Sequence, residues 1–122
     1  CRGAEELVLC ASKRHQALFV ITANGDVAET LPARFGGPGY ETREGPFRIT
    51  RKGGRHHIST LYQVEMPFPI FFSGGQAIHH SWEFQRNPDT TSHGCVGVRD
   101  LSAMERIWKL ADVGTRVIVV PA

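Results

Sequence analysis

Apolar positions along this chain fall into short runs cut by turn residues, and they switch to helical spacing once, near the C-terminus. Residues 6–11 and 17–22 are runs rich in Val, Ile, Leu and Phe, short enough to be strands. Asn24-Gly25-Asp26 then predicts a hairpin into residues 27–31, because Asn-Gly tolerates positive φ at both turn positions. A turn-rich segment, 34–45, contains Gly36-Gly37-Pro38-Gly39. Further strands are expected at 46–50, 58–64, 70–73, 76–81 and 115–120, with Pro67 and Pro69 placing one of them at an edge or bulge. Between residues 100 and 112 the period changes. Leu101, Met104, Ile107, Trp108 and Ala111 share one helical face, with Glu105, Arg106 and Lys109 opposite. Ser102 and Glu105 have capping-box spacing, and Gly114 is expected to close the helix. The pattern predicts a mainly β chain, built as two sheets or an open barrel, with one packed helix. There is no internal repeat or linker, so residues 1–122 are read as one domain.

Composition narrows the function classes. An apolar share of 41% in 122 residues suits a buried core. The formal net charge is only +2, and aromatic residues do not interleave with the basic ones, so no nucleic-acid footprint is present. The longest basic stretch, Arg51-Lys52-Gly53-Gly54-Arg55-His56-His57, reads as a solvated loop, with anion binding as the sharper alternative. No apolar run approaches the roughly 20 residues that span a bilayer. The chain starts at Cys1 with no charged segment and apolar stretch before it, and is read as a mature or trimmed form. Of three cysteines, Cys1 and Cys10 could pair in an oxidising compartment. Cys10 follows Leu7-Val8-Leu9, however, and the reading favours it as a buried small hydrophobe.

The chemistry concentrates in Ser92-His93-Gly94-Cys95. A thiol attacks carbonyls as thiolate, so it needs a nearby base or cation and backbone N–H groups aimed at the developing oxyanion. Gly94 allows close approach of the backbone, and Ser92 or His93 can brace the turn. The base would come from His79 or His80, whose strand reaches this loop through a 10-residue connection, 82–91. Alternation sends these two side chains to opposite faces, so one can face Cys95 while the other is a solvated or packing residue. Zinc is the weaker reading: there is no C-x-x-C or H-E-x-x-H, although His79, His93 and Cys95 could form three ligands. The scattered acids supply no glycosidase pair.

Ser92-His93-Gly94-Cys95, with Ile78-His79 thirteen residues before that serine, resembles the signature of the L,D-transpeptidases of the YkuD-like family. "ETREGPFRI" (41–49), "MPFPIFFSGGQAIHHS" (66–81) and the terminal "GTRVIVV" (114–120) are also similar to it, so the resemblance covers nearly the whole chain. It implies a YkuD-like β-sandwich or open barrel with a helix at about 101–112. It further implies Cys95 as the nucleophile, His79 as the residue that takes the thiol proton, and His93 as the second histidine ordering the loop. The amides of Gly94 and Cys95 would form the oxyanion hole, with Ser92 in the same loop and Ser81 able to orient His79. This chain departs from the family pattern at His80, where Gly or Ser is usual, and at Gly97, where Asn or Arg is usual. Arg99 is the candidate substitute for the latter.

The implied function is peptidoglycan L,D-transpeptidation, in cell-wall biogenesis, outside the cytoplasmic membrane. A tetrapeptide stem would acylate Cys95, release D-alanine and pass its acyl group to an amine. The implied partners are stem peptides and carbapenem-type inhibitors, acting on a monomer without metal or cofactor. Hydrolysis of the same thioester, as an L,D-carboxypeptidase, is one alternative; a non-catalytic peptidoglycan-binding domain of the same fold is another. A thiol hydrolase of a different family is the third.

Overall fold

The structure, a computed structural model, describes residues 1–59 and 63–122. Its strands are β1 (Val8–Ser12), β2 (Ala17–Ile21), β3 (Val27–Arg34), β4 (Gly45–Arg48), β5 (Arg51–Lys52), β6 (Ile70–Ser73), β7 (Gln76–His80), β8 (Val96–Val98) and β9 (Arg116–Val120). The helices are α1 (Trp82–Arg86) and α2 (Leu101–Leu110). All nine strands join one sheet in the order β4-β9-β1-β2-β3-β8-β7-β6-β5. Its two outermost strands, β4 and β5, are nearly contiguous in sequence. One stretch of chain therefore pairs with β9 through residues 45–48 and with β6 through residues 51–52. The bonds Ile49 N to Thr115 O (2.9 Å) and Thr50 N to Phe71 O (2.9 Å) continue this closure. The sheet thus curls on itself, and the Phe47 and Phe72 rings meet across the curl at 5.2 Å. Of the two expected architectures, the open barrel is the one formed.

The main core fills this curl. Leu9, Leu18, Val20, Ile70, Ile78, Val96, Val98 and Val117 pack with Met104 and Ile107 of α2. Burying each such side chain contributes about 1.5–3 kcal/mol. The hairpin at Asn24-Gly25 forms differently from the expectation: Gly25 has φ 87°, but Asn24 stays at negative φ, and the strand pairing shifts between Val20 and Ile21. The helix begins at an Asp100 N-cap, whose carboxylate accepts from the Ala103 N–H (3.1 Å), rather than in a Ser102–Glu105 box. Its C-cap is Ala111, so Gly114 (φ 96°) shapes the following turn into β9 instead of ending the helix. The strand expected at 58–64 is replaced by an isolated Ile58–Glu65 bridge, and residues 60–62 of that expectation lie outside the described residues. Three short elements, β5, α1 and β8, were not expected from the sequence. Among the described residues no helix is long and apolar enough to cross a membrane.

Two further corrections concern Cys10 and Lys52. Cys1 and Cys10 form a disulfide with their Cα atoms 6.0 Å apart, so Cys10 is not a free buried hydrophobe. Lys52, read as part of a solvated basic loop, donates to the carbonyls of Trp108 (2.5 Å) and Ala111 (2.9 Å) at the C-terminus of α2. A cation there satisfies orphan carbonyls and complements the helix dipole. Lys52→Met is expected to lower unfolding free energy by about 1–2 kcal/mol in urea titrations.

Candidate active site

Cys95 lies immediately before β8, at the end of a loop tied to its surroundings by backbone and side-chain bonds. Ser92 N donates to Phe35 O (3.0 Å) and Gly37 N to Ser92 O (3.0 Å), joining the loop to the chain that follows β3. Ser92 Oγ donates to Cys95 O (2.6 Å) and accepts from the Gly94 N–H (3.1 Å). Of the two residues expected to brace the turn, Ser92 does so through its hydroxyl. His93 is exposed, and its ring meets that of Tyr40 edge-on at 4.6 Å. Gly94 has φ 126°, a conformation that favours glycine, and a Cβ there would meet the end of the Gln76 side chain, with Nε2 at 2.7 Å. In this structure the Gly94 N–H expected to face an oxyanion is engaged by the Ser92 hydroxyl.

The two histidines of β7 separate as strand alternation demands. His79 lies on the face of Ala77, and the Cys95 side chain packs against Ala77, Met66 and Phe71. His80 lies on the opposite face, fully buried, with Nε2 2.7 Å from Gln85 Oε1 and its ring edge-on to Trp82 at 4.6 Å. It is a packing residue, not a solvated one. Nδ1 of His79 is 2.5 Å from the His80 carbonyl oxygen. A carbonyl only accepts, so Nδ1 carries the proton and Nε2 keeps its lone pair. The orienting group is therefore a backbone carbonyl. Ser81, expected in that role, instead uses its hydroxyl to accept the Phe84 N–H (3.1 Å) as N-cap of α1.

Burial favours the uncharged form of both His79 and Cys95. Burial pushes the His79 imidazole down to about 4, assisted by Arg34, His80 and His57 and opposed by the bond to the His80 carbonyl. Burial raises the Cys95 thiol above its ordinary value, against the lowering effects of a hydrogen bond from the Ala77 backbone and the charge of Arg34. The thiol itself donates to Gly75 O (3.8 Å), and a neutral imidazole lining the same cavity suits general-base catalysis, in which the proton moves as sulfur attacks.

Cys95, His79, His93, Ser92 and Ser81 line one cavity of about 680 Å³. Its wall also carries Arg34, Arg43, Arg51 and Arg86 against Glu65 and Glu83. Arg51 and His57 of the basic stretch thus belong to the cleft, with Arg51 held 3.6 Å over the Phe71 ring. Arg99, proposed as the substitute at the Gly97 position, is exposed beyond β8 and is not part of the wall. The space over Gly97 is filled by Arg34, its cross-strand partner in the β3–β8 register. Sequence reasoning missed Arg34; the available signal was a lone charge between Leu31-Pro32-Ala33 and Phe35. Among the described residues no group of three or more His, Cys, Asp or Glu could hold a metal ion.

A family model, the YkuD L,D-transpeptidase catalytic domain, matches residues 6–119. The fold is similar to an L,D-transpeptidase from Stackebrandtia nassauensis, with 30% identity over 98% of this chain and a TM-score of 0.85. It is equally similar to residues 123–326 of an L,D-transpeptidase from Xylanimonas cellulosilytica, with 28% identity over 98% of this chain and a TM-score of 0.85. This chain spans 58% and 63% of those two. L,D-transpeptidase 3 of Mycobacterium tuberculosis, solved with a faropenem-derived adduct, shares the fold at 20% identity, a TM-score of 0.75 and coverage of 93% of this chain and 59% of its own. No curated protein matches the chain.

Proposed function

Since the chain belongs to the YkuD family of L,D-transpeptidase catalytic domains, we propose that residues 1–122 act as one such domain, transferring acyl groups between peptidoglycan stem peptides through Cys95. The observation that carries this reading is one cavity holding a free thiol on a braced loop and an imidazole with Nδ1 fixed by a backbone carbonyl. Cys95 sulfur attacks the carbonyl between the third residue of a tetrapeptide stem and its terminal D-alanine. The S–H proton passes to His79 Nε2 as the C–S bond forms, and the amide of Cys95 is the remaining loop donor for the oxyanion. Collapse breaks the C–N bond, His79 returns the proton to the departing D-alanine amine, and a thioester remains. An acceptor amine then attacks the thioester, gives its proton to His79 and expels the sulfur. Water in place of the amine would make the same site an L,D-carboxypeptidase.

Other features agree with this setting. Four arginines against two glutamates in the wall suit stem peptides, which are rich in carboxylates. The Cys1–Cys10 disulfide fits an oxidising, extracytoplasmic compartment. A carbapenem would acylate the same sulfur. The test is incubation with a disaccharide-tetrapeptide. Release of D-alanine with formation of a cross-linked dimer supports transpeptidation, and release with a tripeptide product alone supports the carboxypeptidase. Binding to isolated peptidoglycan without release supports a non-catalytic domain.

The neutral resting pair also sets a pH profile. As pH falls through the His79 value of about 4, the imidazole gains a proton and can no longer take one from sulfur. The acid limb of kcat/KM is therefore expected near pH 4, measured by D-alanine release across a pH series. A limb near the ordinary histidine value would contradict the burial-controlled base.

A further inference from the structure

Arg34 is unlike the other arginines of the cleft in how it is held. Its side chain is only 11% exposed, whereas its ion-pair partner Glu83 is 58% exposed. Nη1 donates to Glu83 Oε1 (2.5 Å), Thr90 Oγ1 (2.6 Å) and Thr91 O (3.2 Å). Nε is buried without a hydrogen-bond partner. The stem lies over Gly97, two residues beyond Cys95: a Cβ at 97 would stand 3.1 Å from Arg34 Cγ, 3.1 Å from Arg34 Nε and 3.1 Å from Ser81 Cβ. The missing side chain at 97 is what admits the guanidinium to this position.

From this geometry we propose that Arg34 is a positioning residue of the site: its guanidinium is the fixed cation that stabilises the Cys95 sulfur anion as it forms. The proposal rests on Cys95 being the reacting group. Water screens the exposed Glu83 carboxylate more than the buried guanidinium, which leaves net positive charge in the cleft. The charge of Arg34 favours the thiolate but disfavours an imidazolium at His79, so its contribution is read at the sulfur itself. The other charged groups of the wall come from α1 (Glu83, Arg86), from Arg51, His57 and Glu65, and from Arg43. His93 stands on the thiol's own loop. Of these cations only Arg34 is opposite Gly97 in the strand register, two residues beyond Cys95, and it shares the cavity wall with both Cys95 and His79.

The experiment is iodoacetamide alkylation of Cys95 across pH, followed by intact mass; the other two cysteines are locked in their disulfide. Arg34→Gln is expected to react about tenfold more slowly at pH 7, with its profile displaced to higher pH. Arg34→Lys restores the rate to within about threefold, because charge rather than fork geometry is needed. Glu83→Gln, which removes the countercharge, reacts about twofold faster. An Arg34→Gln profile that overlays the wild type, or an Arg34→Lys profile that matches Arg34→Gln, would overturn the proposal. If Arg34→Gln does not fold, Glu83→Gln decides, an unchanged profile being the contrary result. Alkylation reports the thiol whether or not D-alanine is released. Failure here is therefore distinct from failure of the transpeptidase reading, which would show as D-alanine release surviving in Cys95→Ala.

Discussion

Cys95→Ala is expected to lose D-alanine release from a tetrapeptide stem by at least on the order of 10⁴-fold while keeping the wild-type fold. The size of the effect follows from covalent catalysis: without sulfur no thioester can form, and the remaining groups only bind and polarise the substrate. Retention of the fold follows from the site. Cys95 touches the small cluster of Met66, Phe71 and Ala77, away from the main core around α2, and the loop is braced by Ser92 through the residue 95 backbone. Truncation to alanine leaves that bond in place. Circular dichroism and urea titration on the same samples would separate loss of chemistry from loss of structure.

His79→Ala and His80→Ala are expected to fail in opposite ways. His79→Ala removes the proton acceptor and should cost on the order of 10²–10⁴ in kcat/KM, together with some stability, because its ring is also buried and bonded to the His80 carbonyl. His80→Ala keeps the backbone carbonyl that holds Nδ1 of His79, so its chemistry should remain within about tenfold of wild type. It loses a fully buried ring, its bond to Gln85 and its contact with Trp82, and should lower unfolding free energy by about 2–3 kcal/mol. Activity lost in folded His80→Ala but kept in His79→Ala would reverse the assignment.

Much of the scaffold was legible because each strand carries its own pattern. Residues 70–73 and 17–21 are apolar on both faces, so local composition and tertiary burial agree. β8 was not legible: Val96-Gly97-Val98 is too short to show a period, and it is a strand because β3 and β7 flank it. The same holds for α1, a single turn and a half set by the Ser81 cap. At α2 the periodicity placed the helix, but the cap is Asp100 rather than the Ser102–Glu105 pair, because its carboxylate reaches the Ala103 N–H.

Within the site, alternation alone required His79 and His80 to diverge, and the resemblance chose between them. What lay beyond the sequence were contacts made across the sheet. Arg34 stands 61 positions before Cys95, and only the β3–β8 register brings it over Gly97. The carbonyl that orients His79 is backbone, which no side-chain motif can announce. The disulfide was not favoured because Cys10 follows an apolar run that suits a buried small hydrophobe, and nine residues of separation permit bonding without requiring it.

The most direct measurement is the intact mass of the protein after incubation with a carbapenem, followed by peptide mapping. The account predicts one covalent adduct, located on Cys95 and absent from Cys95→Ala. A folded wild-type protein that stays unmodified, or one modified at a residue other than Cys95, would contradict it.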